Sequence, residues 1–155
     1  MEQDFMTMDF MEDIFCDGGT ISKFKEGYKE RPSQKEAAKL IANVIQDKDI
    51  MLLEGETGFG KSFAYLFPAL TDVITSNLKH KVLIVTSGIS LQEQLYNKDV
   101  PFVKKVLADY FPNINEEEIK VTLFKGRQNF ICNLKASEAG VTDKLADSRY
   151  KEIGE

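Results

Sequence analysis

Only two cysteines, Cys16 and Cys132, occur in 155 residues, and they stand too far apart to read as a disulfide framework. No apolar run approaches the roughly 18 residues that span a bilayer. The first residues do not read as a secretory signal, because Glu2, Asp4, Asp9, Glu12 and Asp13 interrupt their apolar side chains. Positive charge is in deficit as well. The formal net charge of −5 excludes a whole-domain basic field for nucleic acid and leaves only a local groove for such a partner. These absences point to a cytoplasmic protein with no membrane partner. Nor is there an internal repeat or a low-complexity segment. What is present is globular: 43% hydrophobic and 29% charged residues suit one domain with its own core.

The most informative stretch is Gly55-Glu56-Thr57-Gly58-Phe59-Gly60-Lys61-Ser62, a complete G-x-x-x-x-G-K-[ST] pattern. Apolar residues 50–53 precede it as a buried strand, and Phe63-Ala64-Tyr65-Leu66-Phe67 can continue it as a helix. In that context the backbone N–H groups of Glu56, Thr57, Gly58, Phe59 and Gly60 and of the first helical turn would face phosphates, helped by the helix dipole. Lys61 would reach the β- and γ-phosphate oxygens, and Ser62 would place its hydroxyl on Mg²⁺. Gly58 and Gly60 allow positive φ and a close backbone approach. A glycine-rich turn that merely precedes a lysine is the bland alternative, and the flanking elements argue against it.

Residues 1–19 are acidic and rich in Met and Phe, and predict a lead-in helix or arm that docks by its apolar side chains. Its acidic polar face argues against an amphipathic membrane helix. Residues 20–134 hold the regular pattern, and 135–155 form a polar, weakly patterned tail. Ser33-Gln34-Lys35-Glu36 has capping-box spacing, after which Ala37, Leu40, Ile41, Val44 and Ile45 share a helical face. A helix over 61–77 contains Pro68, which should kink it or cost it a hydrogen bond. Residues 81–86 read as a second buried strand. Ser90-Leu91-Gln92-Glu93 repeats the capping-box spacing and starts a helix that Pro101 interrupts. Phe102, Val103, Val106, Leu107 and Tyr110 carry on a helical stripe, Glu116–Glu118 form a solvated acidic face, and 119–124 read as a third strand. Helices alternating with buried strands predict an α/β fold, a parallel sheet flanked by helices, with the sheet incomplete in this chain.

A P-loop ATPase also needs a second acid, at the end of an apolar strand, to hold Mg²⁺ through water and orient the attacking water. Val106-Leu107-Ala108-Asp109 lies on the helical stripe instead, and Asp72 and Asp99 fall within helices. Neither Arg127 nor Arg149 reads as an arginine finger. The chain therefore reads as a nucleotide cradle without a hydrolytic half, which by itself binds weakly and turns over little.

Four motifs in order resemble the N-terminal part of DinG-type helicases, the XPD-like members of helicase superfamily 2, over residues 18–135. Gly27-Tyr28-Lys29-Glu30-Arg31-Pro32-Ser33-Gln34 resembles the R-P-x-Q nucleotide-recognition motif, and Glu54 to Ser62 resembles helicase motif I. Thr86-Ser87-Gly88-Ile89-Ser90-Leu91-Gln92-Glu93-Gln94-Leu95, followed by Lys98-Asp99-Val100-Pro101, is similar to motif Ia. Lys125-Gly126-Arg127-Gln128-Asn129-Phe130-Ile131-Cys132 resembles the approach to the first cysteine ligand of the family's [4Fe–4S] cluster. The resemblance implies a partial RecA-like P-loop domain that binds ATP and Mg²⁺. It places Arg31 and Gln34 on the adenine side, Thr86, Ser87, Ser90 and Gln94 on single-stranded DNA, and Cys132 as a possible cluster ligand. Read without it, Gln34 is equally a polar residue of a first helical turn, Ser90 an N-cap, and Cys132 a small buried hydrophobe.

In the family, ATP hydrolysis between two RecA-like domains drives 5′→3′ movement on single-stranded DNA. Motif II, motif III and the second RecA-like domain are not present here, and a cubane cluster needs four thiolates. The expectation is thus an ATP-binding first segment of a helicase, inactive alone and without a cluster of its own. Rival readings are a stand-alone nucleotide-binding or regulatory module, an inactive remnant, and a small P-loop kinase. The R-P-x-Q-like and motif Ia-like segments argue against the kinase. No specific protein partner is legible.

Overall fold

The computed structural model describes residues 8–126, 129 and 130. The first seven residues, Arg127, Gln128, Cys132 and the tail over 135–155 lie outside the described residues. The chain divides into two compact units at Thr122 and Leu123. In the second, the Asn129 N–H donates to the Gly126 carbonyl at 2.8 Å.

The first unit is built from helices. They are α1 (Met8–Phe15), α2 (Thr20–Phe24), α3 (Pro32–Asp47), α4 (Lys61–Thr75), α5 (Ile89–Gln94) and α6 (Val100–Tyr110). A π-helical turn over Leu95–Asp99 joins α5 to α6, and a 3₁₀ turn over Glu116–Glu118 follows. The α3–α4 pairing is the most extensive contact, with α1 against α3 and α6 against α4. Phe10, Met11, Ile14 and Phe15 of α1 are buried with Leu66 and Phe67 of α4 and Val103, Val106 and Leu107 of α6. Aromatic rings knit these helices together. Phe67 meets Phe15 edge-on at 5.2 Å, and Phe63 stacks on Phe102 at 5.2 Å.

Several local expectations are corrected. Among the described residues there is no strand. Residues 50–53, 81–86 and 119–124 form no helix or ladder, and their apolar side chains are largely in solvent: Ile50 is 95% exposed, Leu52 99% and Leu83 85%. Ile119 is buried at 1% exposed, and Met51 and Leu123 are half-buried. A strand exists only through a neighbour that accepts its N–H and donates to its C=O, and periodicity alone cannot provide one.

Neither early capping box forms. Pro32 occupies the first turn of α3, so Ser33 is already helical, and Arg31 is the cap without a side-chain bond. α5 starts at Ile89 with Gly88 as its cap, so Ser90 lies inside the helix. The buried face of α3 is Gln34, Ala37, Ala38 and Ala42, while Leu40 is exposed. Small residues are what let α3 lie close to α4. Pro101 does not break its helix. The Val100 N–H reaches back to the Leu95 carbonyl, and this wider turn absorbs the hydrogen bond that Pro101 cannot make. Pro68 sits within α4 without ending it. The acidic run 116–118 is a 3₁₀ turn capped reciprocally by Asn115 and Glu118.

On the surface of α1, Glu12 pairs with both Lys35 and Lys39 of α3. The hydrogen bond from Lys35, then that from Lys39, holds the Glu12 carboxyl below its usual range. Because Phe67 is fully buried between two aromatic rings, Phe67→Ala should cost about 3–5 kcal/mol, the range for such truncations. Urea unfolding of the two proteins, compared at constant slope, measures it.

Candidate nucleotide site

The glycine-rich loop lies between residues 50–53 and α4. Its turn closes when the Phe59 N–H donates to the Glu56 carbonyl at 3.3 Å. Gly60 caps α4 at φ 90°, a left-handed conformation that side chains resist. A Cβ there would lie 2.0 Å from Gln34 Nε2. Glycine at 60 is therefore required twice, by its dihedral and by its neighbour.

Two residues from the start of α3 grip this loop. Gln34 Nε2 donates to the Gly60 carbonyl at 2.8 Å, and Arg31 Nη1 donates to the Gly58 carbonyl at 2.7 Å. Gln34 is only 3% exposed, so this bond also satisfies a buried amide. Lys61 Nζ donates to the carbonyls of Gly55 at 2.5 Å and Glu56 at 2.9 Å. Its ammonium thus lies inside the curl of the loop. Glu56, Thr57 and Gly58 form the exposed tip, and Ser62 opens the first turn of α4.

Beside the loop is a cavity of about 500 Å³, within the range of small-molecule sites. Tyr28, Arg31 and Gln34 line one wall, Gly60, Ser62 and Phe63 another, and Gln94 and Asp99 a third. Lys25 and Lys29 also line it, so the lining holds three cationic side chains and one carboxylate. Asp99 is 6% exposed and accepts a hydrogen bond from Gln94 Nε2 at 3.0 Å. Burial raises the Tyr65 phenol, a hydrogen bond from Ser62 opposes this, and the Asp99 charge adds to it. Lys25 Nζ stands 5.5 Å from the Phe63 ring centroid, a cation–π contact at the cavity edge.

The structure thus brings Arg31, Gln34, Gly60 and Ser62 to one cavity, with Lys61 beside it. Gln94 belongs to this cavity too. Thr86, Ser87 and Ser90 do not line it. The Thr86 hydroxyl donates to the Gly88 carbonyl at 3.2 Å, and both serines are exposed. Cys132 lies outside the described residues, and no group of three or more His, Cys, Asp or Glu among the described residues is placed to hold a metal ion. Sequence reasoning missed Tyr28, Lys25, Phe63 and Asp99 as lining residues. Asp99 carried one signal, the proline two residues later that marks an irregular turn.

The DEAD/DEAH box helicase family model matches residues 31–132, about two thirds of the chain, and the chain belongs to that family. It is similar to the ATP-dependent DNA helicase YoaA of Haemophilus influenzae, 38% identical over 119 residues, which cover 77% of this chain and 16% of that protein. It is also 31% identical over 126 residues to the ATP-dependent helicase DinG of Mycobacterium tuberculosis, covering 81% of this chain and 18% of the relative. The 3′-5′ exonuclease DinG of Bacillus subtilis is 29% identical over 112 residues, 72% of this chain and 11% of its own. The chain spans less than a fifth of the length of these relatives. No solved structure matches it significantly.

Tyr28 offers a test of the cavity wall. Burial first, and the neighbouring Glu30 carboxylate next, push its phenol up to about 12. The unfolded chain releases that proton near pH 10, so between pH 10 and 12 the unfolded state binds fewer protons and stability falls as pH rises. Tyr28→Phe should flatten this fall. The tyrosinate absorbance difference between the two proteins should rise near pH 12, and a rise near pH 10 would contradict the burial.

Proposed function

We propose that this chain is the ATP- and Mg²⁺-binding part of a DinG-like DNA helicase, a motor on single-stranded DNA. One observation carries the reading: Gly60-Lys61-Ser62 opens α4 beside a cationic cavity, with the loop carbonyls turned away into Arg31 and Gln34. Carbonyls committed to those side chains leave the N–H groups of the loop tip and of the first turn of α4 to meet phosphate oxygens. Lys61 already lies within reach of loop oxygens and would exchange two carbonyls for the β- and γ-phosphates. Ser62 would hold Mg²⁺ together with phosphate oxygens, and the ion when bound neutralises charge that develops on them. The donor set fits that role, because a phosphate-borne Mg²⁺ needs few protein ligands.

Arg31 and Gln34 would act on the adenine side while bracing the loop. Thr86, Ser87 and Ser90 would contact the DNA backbone, where hydroxyls and free N–H groups meet at the start of α5. Gln94 joins the nucleotide side to that helix through Asp99. The extended apolar residues 50–53 and 81–86 are proposed as strands of a parallel RecA-like sheet that pairs with further polypeptide. Movement 5′→3′ and a cytoplasmic setting belong to the same proposal, and Cys132 would be a first [4Fe–4S] ligand only in a longer protein that supplies the other three thiolates. The names of the relatives divide between helicase and exonuclease; the phosphate loop in this segment supports ATP use.

Binding of ATP with Mg²⁺ to the 155-residue chain, measured by titration calorimetry, tests the core of this reading. Lys61→Ala should weaken it by at least about tenfold, equivalent to about 1.4 kcal/mol. Unchanged affinity would show that the loop is not the phosphate site.

A further inference from the structure

Helix α1 does more than fill the core, because its C-terminal end is tied to the loop that walls the nucleotide cavity. The Glu30 N–H donates to Asp17 Oδ1 at 2.7 Å, and the Asp17 N–H donates back to Glu30 Oε2 at 3.3 Å. The Tyr28 hydroxyl donates to the Phe15 carbonyl at 3.0 Å. Glu30 also pairs with Lys35 at 2.6 Å, and Lys35 returns to α1 through Glu12. These contacts form a closed circuit from α1 through residues 27–31 to α3. The loop inside it supplies Gly27, Tyr28, Lys29 and Arg31 to the cavity, and Arg31 in turn holds the Gly58 carbonyl.

We propose that the strap of Asp17 and Glu30 is a positioning device for the base side of the nucleotide site, making the N-terminal segment a determinant of how tightly the purine is held. The inference rests on the nucleotide reading above. The physical reason lies in loop entropy. Residues 25–31 contain Gly27 at φ 68° and belong to no helix, so without anchors the wall they form would sample many positions. Asp17 sits in an exposed turn and touches no cavity residue in these bonds, so its effect must pass through Glu30 and the loop.

Lys61, Ser62 and the Gln34 bond to Gly60 would hold the phosphate end without residues 27–30, and the strap reaches the glycine-rich loop only at second hand, through Arg31. Asp17→Ala should therefore weaken Mg²⁺·ATP binding by roughly three- to tenfold, the range for losing one net hydrogen bond. The same variant should bind inorganic tripolyphosphate with Mg²⁺ within about twofold of the parent chain, a margin of a few tenths of a kcal/mol. Asp17→Asn keeps an oxygen acceptor for the Glu30 N–H and should restore ATP affinity. Should Asp17→Ala fail to fold, Asp17→Leu carries the same expectation, since it keeps the side chain's size and removes the acceptor of the Glu30 N–H. Equal losses for ATP and tripolyphosphate would reveal a merely structural role and overturn the proposal, as would no loss at all. If Lys61→Ala binds ATP as well as the parent, the nucleotide reading fails and the proposal falls with it. If Lys61→Ala abolishes binding and the Asp17 variants are silent, only the strap is refuted.

Discussion

Two carbonyl oxygens of the phosphate loop, on Gly58 and Gly60, are held by side chains of another helix, and the geometry of the site depends on that grip. A glycine-rich loop has many conformations in reach and loses more entropy on ordering than any other sequence. Arg31 and Gln34 remove that freedom from a distance of 27 and 26 residues along the chain. They also turn the peptide dipoles so that carbonyls point into α3. The Gln34 amide, buried against Gly60, would be costly if it lacked that acceptor. Gly60, Gln34 and the start of α3 therefore constrain one another, and a side chain at 60 would break both ends of the arrangement.

A second constraint governs the rest of the unit. Helices satisfy their own backbone, so α1, α3, α4 and α6 need only apolar faces to assemble. Phe67, Met11, Ile14 and Val103 provide these and are fully buried. Strand-forming segments have no such independence. Residues 50–53 and 81–86 belong to no ladder, and Ile50, Leu52, Leu83 and Val85 remain largely exposed. Apolar side chains in that position mark surface that another part of a protein is built to cover.

The π-turn over Leu95–Asp99 connects the two halves of this picture. Pro101 cannot donate to the helix, and the turn widens by one residue to accommodate it. Asp99, the last residue of that turn, lines the candidate cavity beside Gln94. A carboxylate that the linear pattern assigns to an ordinary helix face thereby becomes part of a binding wall.

Much of the candidate site was legible in the order of residues. The phosphate loop, its lysine and serine, and the R-P-x-Q segment carry their chemistry in residue type and spacing, because a phosphate cradle demands glycine at fixed positions and a helix start immediately after. The longer helices were legible in outline, since 3.6-residue periodicity is a local property, but α2, the buried face of α3 and the passage of the helix through Pro101 were not. The capping boxes at Ser33 and Ser90 misled because Pro32 and Gly88 set the true starts. What tertiary structure alone decided is relational: that Gln34 and Arg31 seize the loop, that α1 ties down residues 27–31 through Asp17, and that Asp99 faces the cavity. It also left the short apolar runs 50–53 and 81–86 outside any helix or ladder. A helix is specified by the residues within it, whereas a strand or a binding wall is specified by its neighbour.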